Sequence, residues 1–160
     1  MNIVFALITC SDTRSLAEDE AGHYLHDDIL RREGWSVAKH LVCADDRVSI
    51  ANNITHAVEQ LHADVVLTCG GTGLSPRDVT PEATMDVCER NVPGIAEAMR
   101  AHSLAITKRA MLSRGLCMQK GRALIINLPG STKAARENWE AIVDQLEHAV
   151  KMSAGEGHTQ

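Results

Sequence analysis

Glycines and a carboxylate suited to a phosphorylated ligand are concentrated in one segment, TCGGTGLSPRDVTPEAT, residues 68–84. It holds Gly70, Gly71 and Gly73, followed by Asp78. Backbone N–H groups of a glycine loop that leads into a helix are well suited to bind anions. A carboxylate beside such a loop favours Mg²⁺ bridging the phosphates, because magnesium prefers hard oxygen ligands. The segment therefore predicts a loop that holds phosphate with a metal ion close by.

Other segments add groups for the same chemistry. Asp45 lies in the polar loop ADDR and offers a second carboxylate for Mg²⁺. The segment NLPGSTK has the features of a second helix-start anion site, with Ser131 and its neighbouring hydroxyl and amide groups. Four cations are candidates for phosphate contacts, although each is equally well explained as a solvated surface charge: Arg14, Arg77, Arg114 and Lys133.

The glycine segment does not match the familiar nucleotide motifs. GGTGLSPRD has no Lys-Ser/Thr after its glycines, so it is not a Walker loop, and it lacks the third glycine of the dinucleotide fingerprint. We interpret it as a phosphate loop of a different type.

Apolar runs and helical periodicities predict the elements that must position these residues. Strands are predicted at 3–9, 35–43 and 64–69, and helices at 20–34, 47–63, 80–91 and 93–106. The segments AMLSRGLCM and ALIINL predict paired strands around Lys120-Gly121, and Ser131 predicts the cap of a last helix. Alternation of strands and helices predicts an α/β domain with a largely parallel sheet. The polar loops all follow strands, so they should converge on one site at the carboxyl ends.

Length and composition limit the domain organisation and the classes of function that the chain could have. The 160 residues predict one domain over 1–152, with a small polar tail at 153–160 that we expect to be flexible. A net charge of −5 and only four Phe, Tyr and Trp residues argue against a nucleic-acid-binding protein. No apolar run has membrane-spanning length. Five cysteines without Cys-x-x-Cys spacing favour reduced thiols and a cytoplasmic protein.

The segments TCGGTGLSPRDVTPEAT, NLPGSTKAARENWE and SDTRS strongly resemble the molybdenum-cofactor biosynthesis family of MogA and MoaB type. The likeness covers residues 3–150 in consistent order and spacing. It implies a three-layer α/β/α domain with a largely parallel mixed sheet, assembled as a trimer or hexamer. It also implies Mg²⁺, with ATP and molybdopterin as substrates: AMP is transferred to the terminal phosphate of molybdopterin and pyrophosphate is released.

Family roles transfer to the matching positions. The resemblance assigns catalysis and Mg²⁺ binding to Asp45 and Asp78, although Ala44 stands where the family has a proline before the first of these acids. It assigns nucleotide and molybdopterin phosphate binding to Gly70, Gly71, Thr72, Gly73, Ser11, Arg14, Ser113, Arg114, Gly130, Ser131 and Lys133.

Three functions stay open at this level. DVTP resembles the adenylyltransferase branch of the family, and PGSTKA resembles the MoaB branch equally well. The first hypothesis is a molybdopterin adenylyltransferase, which both aspartates favour. The alternative is a MoaB-like molybdopterin-binding protein without adenylyl transfer. A nucleotide-sensing domain is a third class, supported only by the generic phosphate loop. For the enzyme, we expect a separate partner protein to insert molybdate into the product.

Overall fold

A computed structural model describes residues 1–156 of the chain. Its six strands are β1 Ile3–Cys10, β2 Trp35–Cys43, β3 Val65–Cys69, β4 Arg90–Asn91, β5 Cys117–Lys120 and β6 Ala123–Leu128. Its five α-helices are α1 Glu20–Leu30, α2 Arg47–Glu59, α3 Thr80–Val87, α4 Pro93–Leu104 and α5 Thr132–Ser153. Two 3₁₀ turns lie at Leu16–Glu18 and Lys108–Leu112.

The strands form one mixed sheet in the order β2-β1-β3-β6-β5-β4. β2, β1, β3 and β6 are parallel, whereas β5 is antiparallel to both β6 and β4. The apolar run of β1 is buried almost throughout because helices cover both faces of the sheet. The carboxyl ends of the four parallel strands therefore open onto the same edge, where the predicted polar loops begin.

The core consists of two apolar layers, one on each face of the sheet. One layer packs α1, α4 and α5 against the sheet and includes the fully buried Trp139. The other packs α2 and α3 against the opposite face, around Ile50 and Ile54. This arrangement is a three-layer α/β/α fold, and it confirms the predicted class. Within residues 1–156, no helix is both long and apolar enough to cross a membrane.

Several predicted boundaries were wrong. The helices predicted at 20–34 and 47–63 end at Leu30 and Glu59. The helix predicted at 80–91 ends at Val87, because the N–H groups of Glu89 and Val92 donate to carbonyls of β5 and draw the chain into the sheet. The strand predicted in AMLSRGLCM is limited to its last residues, since 108–112 form a 3₁₀ turn. Ser153 ends α5, so the helix reaches into the predicted tail, and residues 157–160 lie outside the described residues.

Candidate functional site

The loops that follow β1, β3 and β6 meet at Gly70. A Cβ atom at Gly70 would lie 2.6 Å from the backbone oxygen of Cys10, and the backbone there has φ +98°. A Cβ atom at Gly130 would lie 3.2 Å from the Gly70 Cα. Only glycine fits such a close approach of backbones. The two loops that the sequence predicts to bind phosphate are therefore neighbours.

The glycine loop is fastened to the start of α3. Thr80 donates its hydroxyl to the Gly70 carbonyl at 2.9 Å and its N–H to the Gly71 carbonyl at 3.2 Å. Gly71 also has positive φ, +71°. Thr80 is fully buried, so these bonds are shielded from water and fix the loop relative to the helix start. The result is a preformed turn with a helix N-terminus beside it.

Asp78 folds back onto the same loop. Its carboxylate accepts a hydrogen bond from the Ser75 N–H at 3.0 Å, and the Asp78 N–H donates to the Ser75 carbonyl at 2.9 Å. A Cβ atom at Gly73 would lie 2.8 Å from Asp78 Oδ2. The carboxylate thus lies against Gly73 of the glycine loop.

Asp45 belongs to the same electrostatic cluster, and Asp12 is a member that the sequence reasoning missed. The Asp45 N–H donates to Asp12 Oδ1 at 2.9 Å, and Asp12 also pairs with Arg77. Partial burial raises the pKa of Asp45, and the negative charges of Asp12 and Asp78 raise it further. Sequence reasoning singled out the SDTRS segment but gave no role to its aspartate.

The donor set fits magnesium held jointly with a substrate. Within residues 1–156, no three or more His, Cys, Asp and Glu side chains are arranged to hold a metal by themselves. Mg²⁺ commonly uses one or two carboxylates together with substrate phosphates and water. Asp45 and Asp78 supply two carboxylates whose charges already repel each other, and a divalent cation would relieve that repulsion.

Arg114 uses its guanidinium to hold the glycine loop. Nε donates to the Gly73 carbonyl at 2.8 Å, and one terminal nitrogen donates to the Asp78 carbonyl at 2.8 Å. The fork also makes bonds of 2.8 and 2.9 Å to the two carboxylate oxygens of Glu82 on α3. The sequence predicts that Arg114 contacts phosphate. The observed bonds favour instead a structural role, in which Arg114 holds the loop beside the site.

The remaining predicted ligands surround the loops after β1 and β6. Arg14 donates to the Gly130 carbonyl at 2.9 Å, so the SDTRS loop is tied to the second phosphate loop. Ser11 accepts hydrogen bonds from the backbone of its own loop. Ser131 caps α5 by accepting from the Ala134 N–H at 3.3 Å, and Lys133 is exposed on the first turn of that helix.

A cavity of about 350 Å³ opens beside the two loops that the sequence predicts to bind phosphate. One end is lined by Thr72, Gly73, Pro129 and Ser131, and the other lies between α4, α5 and the 108–112 turn. Ser113 also lines it, and Thr72 is 93% buried. Sequence reasoning missed the residues at its far end, because no local motif marks them: Arg100, Ser103, Thr107, Arg109, Glu137 and Asn138.

A buried acid anchors the segment that follows the SDTRS loop. Asp19 caps α1 and accepts hydrogen bonds from Thr9, the Gly22 N–H and His40, at 2.7, 3.1 and 2.7 Å. Burial by itself would raise the pKa of Asp19, but these three bonds together outweigh burial and lower it. The bond from His40 links this helix cap to β2.

The chain is an α/β/α domain in which two glycine-containing loops adjoin at the carboxyl ends of the parallel strands. Residues 6–148 match the family described as the probable molybdopterin binding domain. The chain belongs to this family, as the sequence resemblance predicted. A solved structure of the molybdopterin biosynthesis enzyme MoaB from Thermus thermophilus superposes with a TM-score of 0.84 at 37% identity, covering 96% of this chain and 97% of that one.

Two further relatives match large parts of the sequence. The molybdopterin adenylyltransferase of Helicobacter pylori is 40% identical over 114 residues, which are 71% of this chain and 65% of that protein. The molybdenum cofactor synthesis protein cinnamon of Drosophila melanogaster is 36% identical over 153 residues, 94% of this chain. The matching region spans only 26% of the Drosophila protein.

Proposed function

We propose that this protein transfers AMP from ATP to the terminal phosphate of molybdopterin in a Mg²⁺-dependent reaction. The observation that carries the proposal is the contact between the loop at Gly70 and the loop at Gly130. Asp45 lies near enough for the charge of Asp78 to raise its pKa. Two phosphate loops in contact would bring two phosphorylated substrates together. The name of the Helicobacter pylori relative supports this assignment.

The chemical problem of the reaction is repulsion between two anions. A molybdopterin phosphate oxygen forms a bond to the α-phosphorus of ATP, the bond from that phosphorus to the β-bridging oxygen breaks, and pyrophosphate leaves. Bound Mg²⁺ would supply charge neutralisation during this transfer. The chain's own part would be positioning. The amides of residues 71–73 and of the α5 start would hold the phosphates, whereas the Gly70 N–H donates to the Leu128 carbonyl. Asp45 and Asp78 would hold the metal with its water.

Production of pyrophosphate tests this proposal. Purified protein is supplied with molybdopterin, ATP and Mg²⁺, and then with each component omitted in turn. We expect pyrophosphate only from the complete mixture, with EDTA stopping its release. Binding of molybdopterin without release of pyrophosphate would instead support the second candidate, a MoaB-like binding protein. The MoaB name of the Thermus thermophilus protein supports keeping that candidate, although the same protein is described as an enzyme. Affinity for ATP without any for molybdopterin would support a nucleotide-sensing domain.

We also propose that the protein acts in the cytoplasm as a trimer, or as a hexamer built from trimers. Its adenylylated product would pass to a separate protein that inserts molybdate. Light scattering coupled to size-exclusion chromatography gives the subunit number directly. A monomer under activity-assay conditions would contradict the assembly proposed here.

A further inference from the structure

Cys10 and Cys43 end two neighbouring strands, and the function proposed above uses neither of them. They are the last residues of β1 and β2, and they are paired with each other in the parallel register of these strands. Both side chains pack with the apolar layer around Ile50 and Ile54. Cys69 ends β3 in the same way but belongs to the layer on the opposite face of the sheet. The strand ends therefore bring two of these thiols together and separate the third.

The side chains of Cys10 and Cys43 are close enough to interact directly. A hydrogen bond between the two thiols is the largest cause that raises the pKa of Cys10. Adjacent strands lie about 4.7–4.9 Å apart, and the Cα atoms of disulfide-bonded cysteines are about 4.4–6.8 Å apart. Both residues are free cysteines in the structure. Two free thiols are thus placed where a disulfide could close between the strand ends.

One of the two thiols can be reached from solution and the other lies behind it. Cys43 is partly exposed and lines a pocket on the surface, and its strand β2 is at the edge of the sheet. Cys10 is 95% buried. An accessible thiol beside a second thiol is the arrangement in which the first is oxidised and the second resolves the product as a disulfide.

We infer that Cys10 and Cys43 form a dithiol that a peroxide oxidises reversibly to a disulfide, and that this bond slows the transfer proposed above. The Cys43 sulfur attacks one oxygen of hydrogen peroxide: an S–O bond forms, the O–O bond breaks, and the thiol proton leaves with the other oxygen as water. The Cys10 sulfur then attacks the Cys43 sulfur of this sulfenic acid. The S–S bond forms, the S–O bond breaks, and a second water carries away the Cys10 proton. The thiols lose two electrons, which reduce the peroxide to water.

The disulfide draws together the loops that carry the acidic cluster. Asp12 and Asp45 lie two residues beyond Cys10 and Cys43, and the Asp45 N–H donates to Asp12. An S–S bond is about 2.05 Å long, far inside the contact distance of two thiols, so the strand ends must shift. Magnesium demands near-ideal octahedral geometry and tolerates such a shift poorly. This effect on transfer rests on the proposed function, whereas formation of the disulfide does not.

Peptide mapping by mass spectrometry tests the bond itself. The full chain is treated with hydrogen peroxide, alkylated and digested with trypsin, which places the two cysteines in separate peptides, 1–14 and 40–47. We expect these peptides to be linked after peroxide and separate again after dithiothreitol. Cys43→Ser should give no linked peptides. Cys10→Ser should leave Cys43 as a sulfenic acid that dimedone labels.

Pyrophosphate release measured on the same samples tests the effect on transfer. Peroxide should lower release by the wild type roughly tenfold to a hundredfold, because a misplacement of about 1 Å is that costly. Dithiothreitol should restore it, and peroxide should not lower release by Cys43→Ser. Cys88→Ser is the matched control: Cys88 is also partly exposed, but burial raises its pKa to about 11, so this variant should behave as the wild type.

Absence of linked peptides in the oxidised wild type, or linkage through any other cysteine, would overturn the inference. Equal loss of release in peroxide-treated Cys43→Ser would place the inhibition elsewhere and would overturn the regulatory effect. If the untreated wild type releases no pyrophosphate, the proposed function fails and the effect on transfer fails with it. The linked peptides still decide the dithiol in that case, so the two failures are distinguished.

Discussion

Gly130 lies so close to Gly70 that a Cβ atom on it would come within 3.2 Å of the Gly70 Cα. This contact joins the loops after β3 and β6, two strands that are neighbours in the parallel part of the sheet. A Cβ atom at Gly130 would require a small shift of the Gly70 backbone, and one at Gly70 would clash with the Cys10 oxygen. The shared phosphate site proposed for this protein depends on that approach.

Gly70→Ala should disrupt both the loop and its function. The substitution places a Cβ atom 2.6 Å from the Cys10 oxygen at φ +98°, so we expect the free energy of unfolding to fall by about 1–3 kcal/mol. ATP and molybdopterin should also bind more weakly. Urea unfolding and ligand titration measure the two effects. Gly94→Ala is the control, since no atom lies within 4 Å of its added Cβ. Equal stability of the two variants would refute the packing argument.

Asp78→Asn should preserve the fold and the binding of molybdopterin but lower turnover. The amide keeps the shape of the side chain and loses the charge that would hold Mg²⁺, so we expect kcat to fall by roughly a hundredfold. Release of pyrophosphate at saturating substrates measures this effect. Asp144→Asn removes an acid that is 86% exposed on α5 and should leave turnover unchanged. Near-normal turnover of the Asp78 variant would remove this residue from the catalytic assignment.

Asp45 should lower stability at neutral pH in the absence of metal. Partial burial and the charges of Asp12 and Asp78 raise its pKa in the folded state above the ordinary value of about 4. The folded protein therefore holds this proton more tightly, and stability is lost as pH rises from about 4 through the raised pKa. Asp45→Asn should raise Tm at pH 7 and should give no gain below about pH 4. Thermal melts of both proteins between pH 4 and pH 7 test this expectation. Added Mg²⁺ should reduce the difference in Tm between the variant and the wild type, because it should stabilise only the wild type. A lower Tm for the variant at pH 7 would contradict the expectation.

Arg114→Lys should loosen the glycine loop although it keeps the charge. Lysine cannot reproduce the fork that reaches Glu82 and the carbonyls of Gly73 and Asp78, so we expect a loss of about 2 kcal/mol. Chemical denaturation measures that loss, and KM for ATP should rise with it. Arg136→Lys, at an exposed pair on α5, should cost less than about 0.5 kcal/mol. If both variants are equally stable, Arg114 does not act as a clamp.

The convergence of loops could be predicted from sequence because it follows from strand–helix alternation. Parallel strands place their carboxyl ends on one edge, so Asp45 and Asp78 were expected together without any knowledge of packing. The glycine loop could also be predicted from sequence, because glycine allows positive φ and a close approach of backbones. Both expectations depend on local chemistry and on topology alone.

Roles set by packing could not be predicted in the same way. Ser103 and Asn138 face one cavity only because α4 packs on α5, and their spacing in sequence carries no signal of that contact. The guanidinium of Arg114 could bind a phosphate or, equally well, two carbonyls and Glu82. Only the fold determines which of these partners it contacts. Asp12 joins the acidic cluster because its carboxylate accepts a hydrogen bond from the Asp45 N–H in the neighbouring loop.

A crystal structure with molybdopterin, an unreactive ATP analogue and Mn²⁺ tests the central claim most directly, because anomalous scattering locates the metal. We predict a metal peak between Asp45 and Asp78, with phosphate oxygens on the amides of residues 71–73 and at the start of α5. Phosphates bound away from both loops, or a metal that contacts neither aspartate, would contradict this account and leave only the fold and the family in place.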